Sequence, residues 1–279
     1  MQMAAAALSL LFLALCPFAA AGGNSKALPL YEINLDLDPS QRYVALFDTS
    51  VYPDFNATVW KFYEESFANN AALTDLLYGI TAQRGPESSE EQQAEIESLS
   101  SLTRLPLAFV HSIQMLYELQ TVMVPIVNLT RPAGAEPAYD LPAGYEALKT
   151  LPWRHSAGCT GIIATTADGT VSHARNLDFA PVGIMKDLIF DARFTKGGKE
   201  VFRSQMVAGY TMVVTAAVLG GTDGFAVERN TRYADHAGGF KLVMDNLLGG
   251  VPLNGWTLRK VLETETSYDA AIDAISNAK

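Results

Sequence analysis

Apolar and polar residues alternate through residues 28–37, with Tyr31, Ile33, Leu35 and Leu37 on one side of the pattern. A period of two predicts a β-strand, which Asp38-Pro39-Ser40 ends. Across residues 59–80 the apolar positions recur at helical spacing. Residues 85–101 are acidic, serine-rich and poor in apolar side chains, which predicts a solvated loop or an exposed helix. Residues 105–127 are strongly apolar, but His111, Glu118 and two glutamines interrupt them and Pro125 closes them. That pattern predicts a buried core helix rather than a membrane span. Pro132, Pro137 and Pro142, with Gly134 and Gly144, mark an exposed linker.

The character changes at Gly158-Cys159. Residues 159–166 and 170–179 are β-like runs around Ala167-Asp168-Gly169, and Asp-Gly between such runs is a strong hairpin signal. Further strands are predicted over residues 188–194, 200–207, 211–219 and 225–233, with glycine-rich turns between them. Helical spacing returns over residues 240–248, 258–263 and 268–276. The order is helices, then a β-meander, then helices, which is an α+β arrangement without internal repeats.

Composition narrows the function. With 20 Lys and Arg against 30 Asp and Glu the net charge is −10, and there is no basic tract. Nucleic acid is therefore excluded as a partner, because phosphate contacts need clustered cations. Residues 1–21 carry no charged side chain and end in Ala19-Ala20-Ala21, the pattern of a secretory signal peptide. Asn56-Ala-Thr and Asn128-Leu-Thr are glycosylation sequons that fit the same route. Removal of the signal peptide takes Cys16 with it and leaves Cys159 as the one cysteine, unable to form an internal disulfide. No group of Cys, His or carboxylate residues has metal-site spacing, so neither a metal nor another cofactor is expected.

Cys159 has two readings, a small buried core residue or a reactive thiol in an oxidising compartment. If Asp168-Gly169 is a two-residue turn, Cys159 lies opposite Asp178 and shares its face. Arg175 then lies opposite Ile162, on the other face, and reaches the thiol only through a bulge. A cross-strand ion pair is the plain alternative for Arg175 and Asp178. His111, His155, His173 and His236 lie in no protease motif and read as structural or surface residues. A thiol without a positioned histidine can still be activated if Cys159 becomes a chain terminus. Cleavage of the Gly158–Cys159 bond would free an α-amine of pKa roughly 7.7–8.0, able to act as base for its own side chain.

The run CTGIIATTADGTVSHARNLDF, followed by VAGYTMVV and FAVERNTRY, resembles the acid ceramidase and N-acylethanolamine acid amidase family. YEINLDLDPSQRY upstream resembles that family's N-terminal segment. The resemblance implies an Ntn-hydrolase αββα sandwich and a lysosomal or secreted enzyme. It implies autocleavage between Gly158 and Cys159, leaving an α/β heterodimer. On that basis residues 1–21 are the signal peptide, residues 22–158 an α-subunit-like helical region and residues 159–279 a β-subunit-like region. Cys159 matches the family nucleophile, Arg175 and Asp178 the pair beside it, and Asn230 and Arg232 the outer residues of an Asn-Glu-Arg segment. Thr231 stands where the family has glutamate. The implied partner is an N-acylated lipid, ceramide or an acylethanolamide, with transient contact to a membrane or lipid carrier through the helical region. Family members continue past the position of Lys279 through further strands. The second expectation is thus a shortened, non-catalytic lipid-binding or unstable fragment of such an amidase.

Overall fold

A computed structural model of the chain describes residues 28–47, 55–64, 88–115, 117–118, 158–178, 186–220, 223–230 and 237–278, with isolated positions at 75, 78 and 79. The signal peptide, the proline-rich linker, Asn128 and Arg232 lie outside these residues. In chain order the described elements are β1 (Leu30–Asn34), α1 (Phe55–Tyr63), α2 (Glu90–Thr103) and α3 (Leu107–Gln114). Then come β2 (Gly158–Thr165), β3 (Val171–Asp178), β4 (Ile189–Lys196), β5 (Lys199–Val207), β6 (Thr215–Val218) and β7 (Phe225–Glu228). The helices α4 (Ala237–Gly249), α5 (Asn254–Thr264) and α6 (Tyr268–Ser276) close the described chain. The α+β class expected from sequence holds.

Five strands form one sheet in the order β1-β4-β5-β6-β7, and β2 with β3 forms a separate two-stranded hairpin. The meander β4 to β7 is antiparallel throughout, while β1 joins its edge in parallel, Ile33 beside Phe194. The strand predicted over residues 28–37 is β1, so the segment upstream of Gly158 contributes a strand to the main sheet. One face of this sheet is apolar, with Phe190, Ala192, Phe194, Phe202, Met206 and Ala216 all buried. Their alternation with polar neighbours is the period-two pattern that predicted the strands. The helix α5 packs on that face: Trp256 is buried, its indole N–H donates to Thr211 Oγ1 at 2.9 Å, and the Arg259 guanidinium lies over the Phe194 ring. The opposite face carries Glu32, Asp191, Arg193, Arg203, Gln205, Thr215 and Glu228, and the β2–β3 hairpin contacts it at the β6–β7 end through Thr215 and Glu228.

The acidic stretch expected to be solvated forms the buried helix α2. A capping box starts it: Ser89 Oγ accepts from Gln92 N, and Gln92 Oε1 accepts from Ser89 N. Ile96 and Leu99 face the core, and Glu95 between them is 0% exposed. What permits this burial is distant in sequence. Glu95 Oε1 accepts from Arg42 Nη1 at 2.9 Å and from Arg259 Nη2 at 2.7 Å, while Arg259 Nη1 donates to its other oxygen. Arg42 also donates to the Leu35 carbonyl at 2.8 Å, and Arg259 to the Thr211 carbonyl at 2.9 Å and to Glu263 at 2.8 Å. The residue after β1, the loop before α1, helix α2, the approach to β6 and helix α5 are thereby tied to one carboxylate.

In the apolar stretch, Phe109, Val110, Ile113, Met115 and Tyr117 are buried, as expected of a core helix. Among the described residues no helix is long and apolar enough to cross a membrane. Glu95→Gln should lower the unfolding free energy by about 3–5 kcal/mol, because it leaves two buried guanidinium groups short of their counter-charge. Glu91→Gln, at a half-exposed partner of the same Arg42, should cost about 0–1 kcal/mol. Urea unfolding of both variants checks the contrast.

Candidate active site

The hairpin turn decides what Cys159 faces. Residues 166–170 form the loop: Thr166 N donates to Thr170 O at 2.9 Å and Gly169 N to Thr166 O at 3.0 Å. Gly169 sits at φ 86°, and Asp168 Oδ1 accepts from Thr170 N at 3.1 Å and from Thr166 Oγ1. Three residues turn the chain, with glycine in the left-handed position, instead of the two assumed from the Asp-Gly pair. Thr165 pairs with Val171, and the ladder continues to Gly161 with Arg175, Cys159 with Leu177 and Gly158 with Asp178.

This corrects the expected register by one residue, and a slip of one exchanges the two faces. Cys159 is not opposite Asp178; Asp178 is opposite Gly158, and its side chain lies outside the described residues. Arg175, expected on the far face, shares the face of Cys159, Gly161, His173 and Leu177 with no bulge required. Cys159 is a half-buried free thiol at the second residue of β2, and Gly158 is already within the strand.

Arg175 reaches from the hairpin to the main sheet. Its Nη1 donates to Thr215 Oγ1 at 2.9 Å and to the Val214 carbonyl at 3.2 Å. Its Nε and Nη2 are buried without a hydrogen-bond partner among the described residues. Glu228, on β7, lies beneath the same face. It accepts from Asn230 Nδ2 at 2.6 Å, and its other oxygen is 2.8 Å from His173 Nε2. Burial alone would push the Glu228 carboxyl up. The hydrogen bonds from Asn230 and His173 and the charges of His173 and Arg175 outweigh it and hold the group below the ordinary carboxylate value. Gly161 is what lets the hairpin lie down on this carboxylate, since a Cβ at that position would fall 1.9 Å from Glu228 Oε1.

From the upstream helical region, Tyr117 brings its hydroxyl to 3.8 Å from Cys159 Sγ. That hydroxyl donates to the Arg229 carbonyl, the Arg229 guanidinium stands 4.2 Å from the Tyr117 ring centroid, and Arg229 pairs with Glu118. Of the residues singled out in the sequence, Cys159, Arg175 and Asn230 converge here. Asp178 reaches the hairpin end by backbone register only, Asn56 sits in α1 away from this group, and Arg232 is outside the described residues. Sequence reasoning missed Glu228, His173, Tyr117 and Arg229. Thr231 lies outside the described residues, and the neighbouring Glu-Arg pair of Glu228 and Arg229 was the sequence signal available for Glu228.

No family model matches the chain. Acid ceramidase of Heterocephalus glaber is 24% identical over 274 residues, covering 90% of this chain and 58% of that protein. N-acylethanolamine-hydrolyzing acid amidase of Caenorhabditis elegans is 24% identical over 276 residues, covering 95% of this chain and 65% of that protein. This chain is similar to the acid ceramidases and acid amidases. The corresponding amidase of Oryctolagus cuniculus is 32% identical over 126 residues, 45% of this chain and 34% of that protein. A solved Caenorhabditis elegans ortholog of the amidase is 26% identical over 42% of this chain and 48% of its own, with a TM-score of 0.37. The chain thus spans roughly three-fifths of the length of the curated proteins it matches over most of its own length.

Gly161→Ala should destabilise the protein, and pairing it with Glu228→Ala should recover part of the loss, a coupling of about 0.5–3 kcal/mol in a double-mutant cycle. Strict additivity in urea unfolding would show that the two residues do not meet. Because the folded value of Glu228 is depressed, the stability it contributes is fully present above its ordinary value of 4.5 and is lost as pH falls through the folded value. The difference in thermal midpoint between wild type and Glu228→Gln should therefore be constant above about pH 5 and shrink below about pH 4.

Proposed function

We propose that the chain is an amidase region that hydrolyses the amide bond of an N-acylated lipid, with Cys159 as an N-terminal nucleophile exposed by self-cleavage. The observation that carries this reading is the placement of Arg175, with two buried and unpartnered donors, on the same face of the hairpin as the Cys159 thiol. The relatives' names, acid ceramidase and N-acylethanolamine-hydrolyzing acid amidase, supply the substrate class.

In the processing step the Cys159 sulfur attacks the Gly158 carbonyl carbon. The C–S bond forms, the C–N bond to Cys159 breaks, and the thiol proton passes to the departing nitrogen. Water then hydrolyses the thioester, giving a Gly158 carboxylate, a free thiol and a free Cys159 amine. In turnover that amine takes the thiol proton and the sulfur attacks the acyl carbonyl of the lipid. The amine product leaves with a proton, and water releases the fatty acid. The unpartnered Arg175 donors and Asn230 offer hydrogen bonds to oxygen atoms that gain charge along this path, and removing one such donor typically costs about 2.7–4 kcal/mol. Asp178, at the strand end beside Gly158, is assigned to orienting the new amine. Arg232 completes the proposed set, and the site needs no metal or other cofactor. The heterodimer would be held by contacts already formed across the cut, namely the β1–β4 ladder, the Glu95 ion pairs and Gln114 bonded to Gly209 and Thr211.

The sequons and the signal-like residues 1–21 support a location in the secretory pathway, in the lysosome or outside the cell, and an acidic compartment suits a Glu228 carboxyl held below its ordinary value. A second reading, a non-catalytic lipid-binding fragment, is favoured by the exposure of Ile162, Ile163 and Val171 at the outer end of the hairpin.

Mildly acidic incubation of the purified chain should give two fragments by mass spectrometry, the smaller starting at Cys159. Cys159→Ala should stay intact, and Asp178→Asn should lower hydrolysis of a fluorogenic fatty-acyl amide by at least about tenfold with the fold retained. Cleavage in Cys159→Ala would assign the cut to another protease. Vesicle binding without cleavage or turnover would favour the second reading.

A further inference from the structure

Tyr117 is the one described side chain whose polar atom reaches the Cys159 sulfur, and it comes from the other side of the proposed cut, 42 positions upstream. A tyrosine hydroxyl has one proton. In this structure that proton is committed to the Arg229 carbonyl, so the bond between Tyr117 Oη and Cys159 Sγ, at 3.8 Å, is one in which the thiol donates and the phenol oxygen accepts. The phenol itself has little freedom to move. Its ring lies under the Arg229 guanidinium at 4.2 Å, the residue is 4% exposed, and the adjacent Glu118 pairs with that same guanidinium. One turn earlier, Gln114 is locked to the main sheet's approach, donating to the Gly209 carbonyl at 2.7 Å and accepting from Thr211 N at 3.0 Å. The arrangement fixes an acceptor against the sulfur from a rigid frame.

We infer that Tyr117 is a positioning residue for the Cys159 thiol, so that the segment upstream of the cut is a working part of the active site. The inference rests on the reading of Cys159 as the nucleophile. The charged groups that share this neighbourhood are Arg175 and His173 from β3, Glu228 from β7, Arg229 after it and Glu118 beside Tyr117. Among the described residues none of these reaches the sulfur with a polar atom, and Tyr117 does. Holding the S–H on the phenol oxygen sets the rotamer from which the sulfur can attack, and it keeps the thiol from solvent-borne electrophiles until the base takes the proton.

The test is the rate at which iodoacetamide alkylates Cys159 at neutral pH in the unprocessed full chain carrying Cys16→Ser. Tyr117→Phe should alkylate about threefold to tenfold faster than wild type, the range expected for one lost hydrogen bond. Tyr210→Phe, which removes a buried hydroxyl that makes no hydrogen bond, should stay within twofold of wild type. Replacing Tyr117 with 3-fluorotyrosine, which keeps the shape and weakens the acceptor, should give an intermediate rate. Equal rates for wild type and Tyr117→Phe would overturn the inference. So would a 3-fluorotyrosine protein indistinguishable from wild type, since a purely structural role would tolerate it. If the rates follow the expected order while even wild type never cleaves or turns over, Tyr117 keeps its role and the amidase reading falls.

Discussion

A single buried carboxylate organises the described fold. Glu95 has no exposure, and its oxygens accept from Arg42 and Arg259, whose remaining donors go to the Leu35 and Thr211 carbonyls and to Glu263. An ion pair so placed is weak evidence of net stability, because desolvation offsets most of the attraction. Its effect is on uniqueness. Any arrangement that separates these three side chains leaves a bare charge in the core, so β1, α2, the β6 approach and α5 have one mutual placement. The apolar face of the sheet, the Trp256 contact and the seat of α3 follow from that placement.

The candidate site depends on a second constraint, the close approach of the Gly161 backbone to the Glu228 carboxylate. The hairpin lies on Glu228 only because residue 161 lacks a Cβ. That approach brings Arg175 to Thr215, His173 to Glu228 and the Cys159 end of β2 to Tyr117. The site is therefore assembled from three separate pieces, a hairpin, the β6–β7 edge and an upstream helical segment. Each piece is positioned by the core and not by its neighbours in sequence. The likeness to acid ceramidases and acid amidases spans all three pieces.

Much of this was legible in the residue pattern. The strands of the meander and the three C-terminal helices followed from periodicity, and the placing of Arg175 beside Cys159 from the resemblance. Three things were not. The face of Arg175 turned on whether the hairpin loop holds two residues or three, and Asp-Gly fits both. Helix α2 looked solvated because an acidic stretch gives no sign of the arginines at positions 42 and 259 that neutralise it. Tyr117 and Glu228 were missed because what makes them part of the site is contact across more than forty positions of chain.

The parallel pairing of β1 with β4 has a consequence for the order of events during folding. Asp191 and Leu30 meet across most of the upstream region, a closure of high contact order, and such pairings form late. While the chain is continuous, β1 searches for its place as part of the same molecule, at the effective concentration that tethering provides. A cut at Gly158 made before β1 docks would turn that search into an encounter between two dilute fragments. Under the proposed self-cleavage, a thiol aimed at its target only when Tyr117 and Arg175 have gathered around it would couple the cut to completed assembly. Such a cut would need no separate timer, because the geometry it requires would be the geometry of a finished fold.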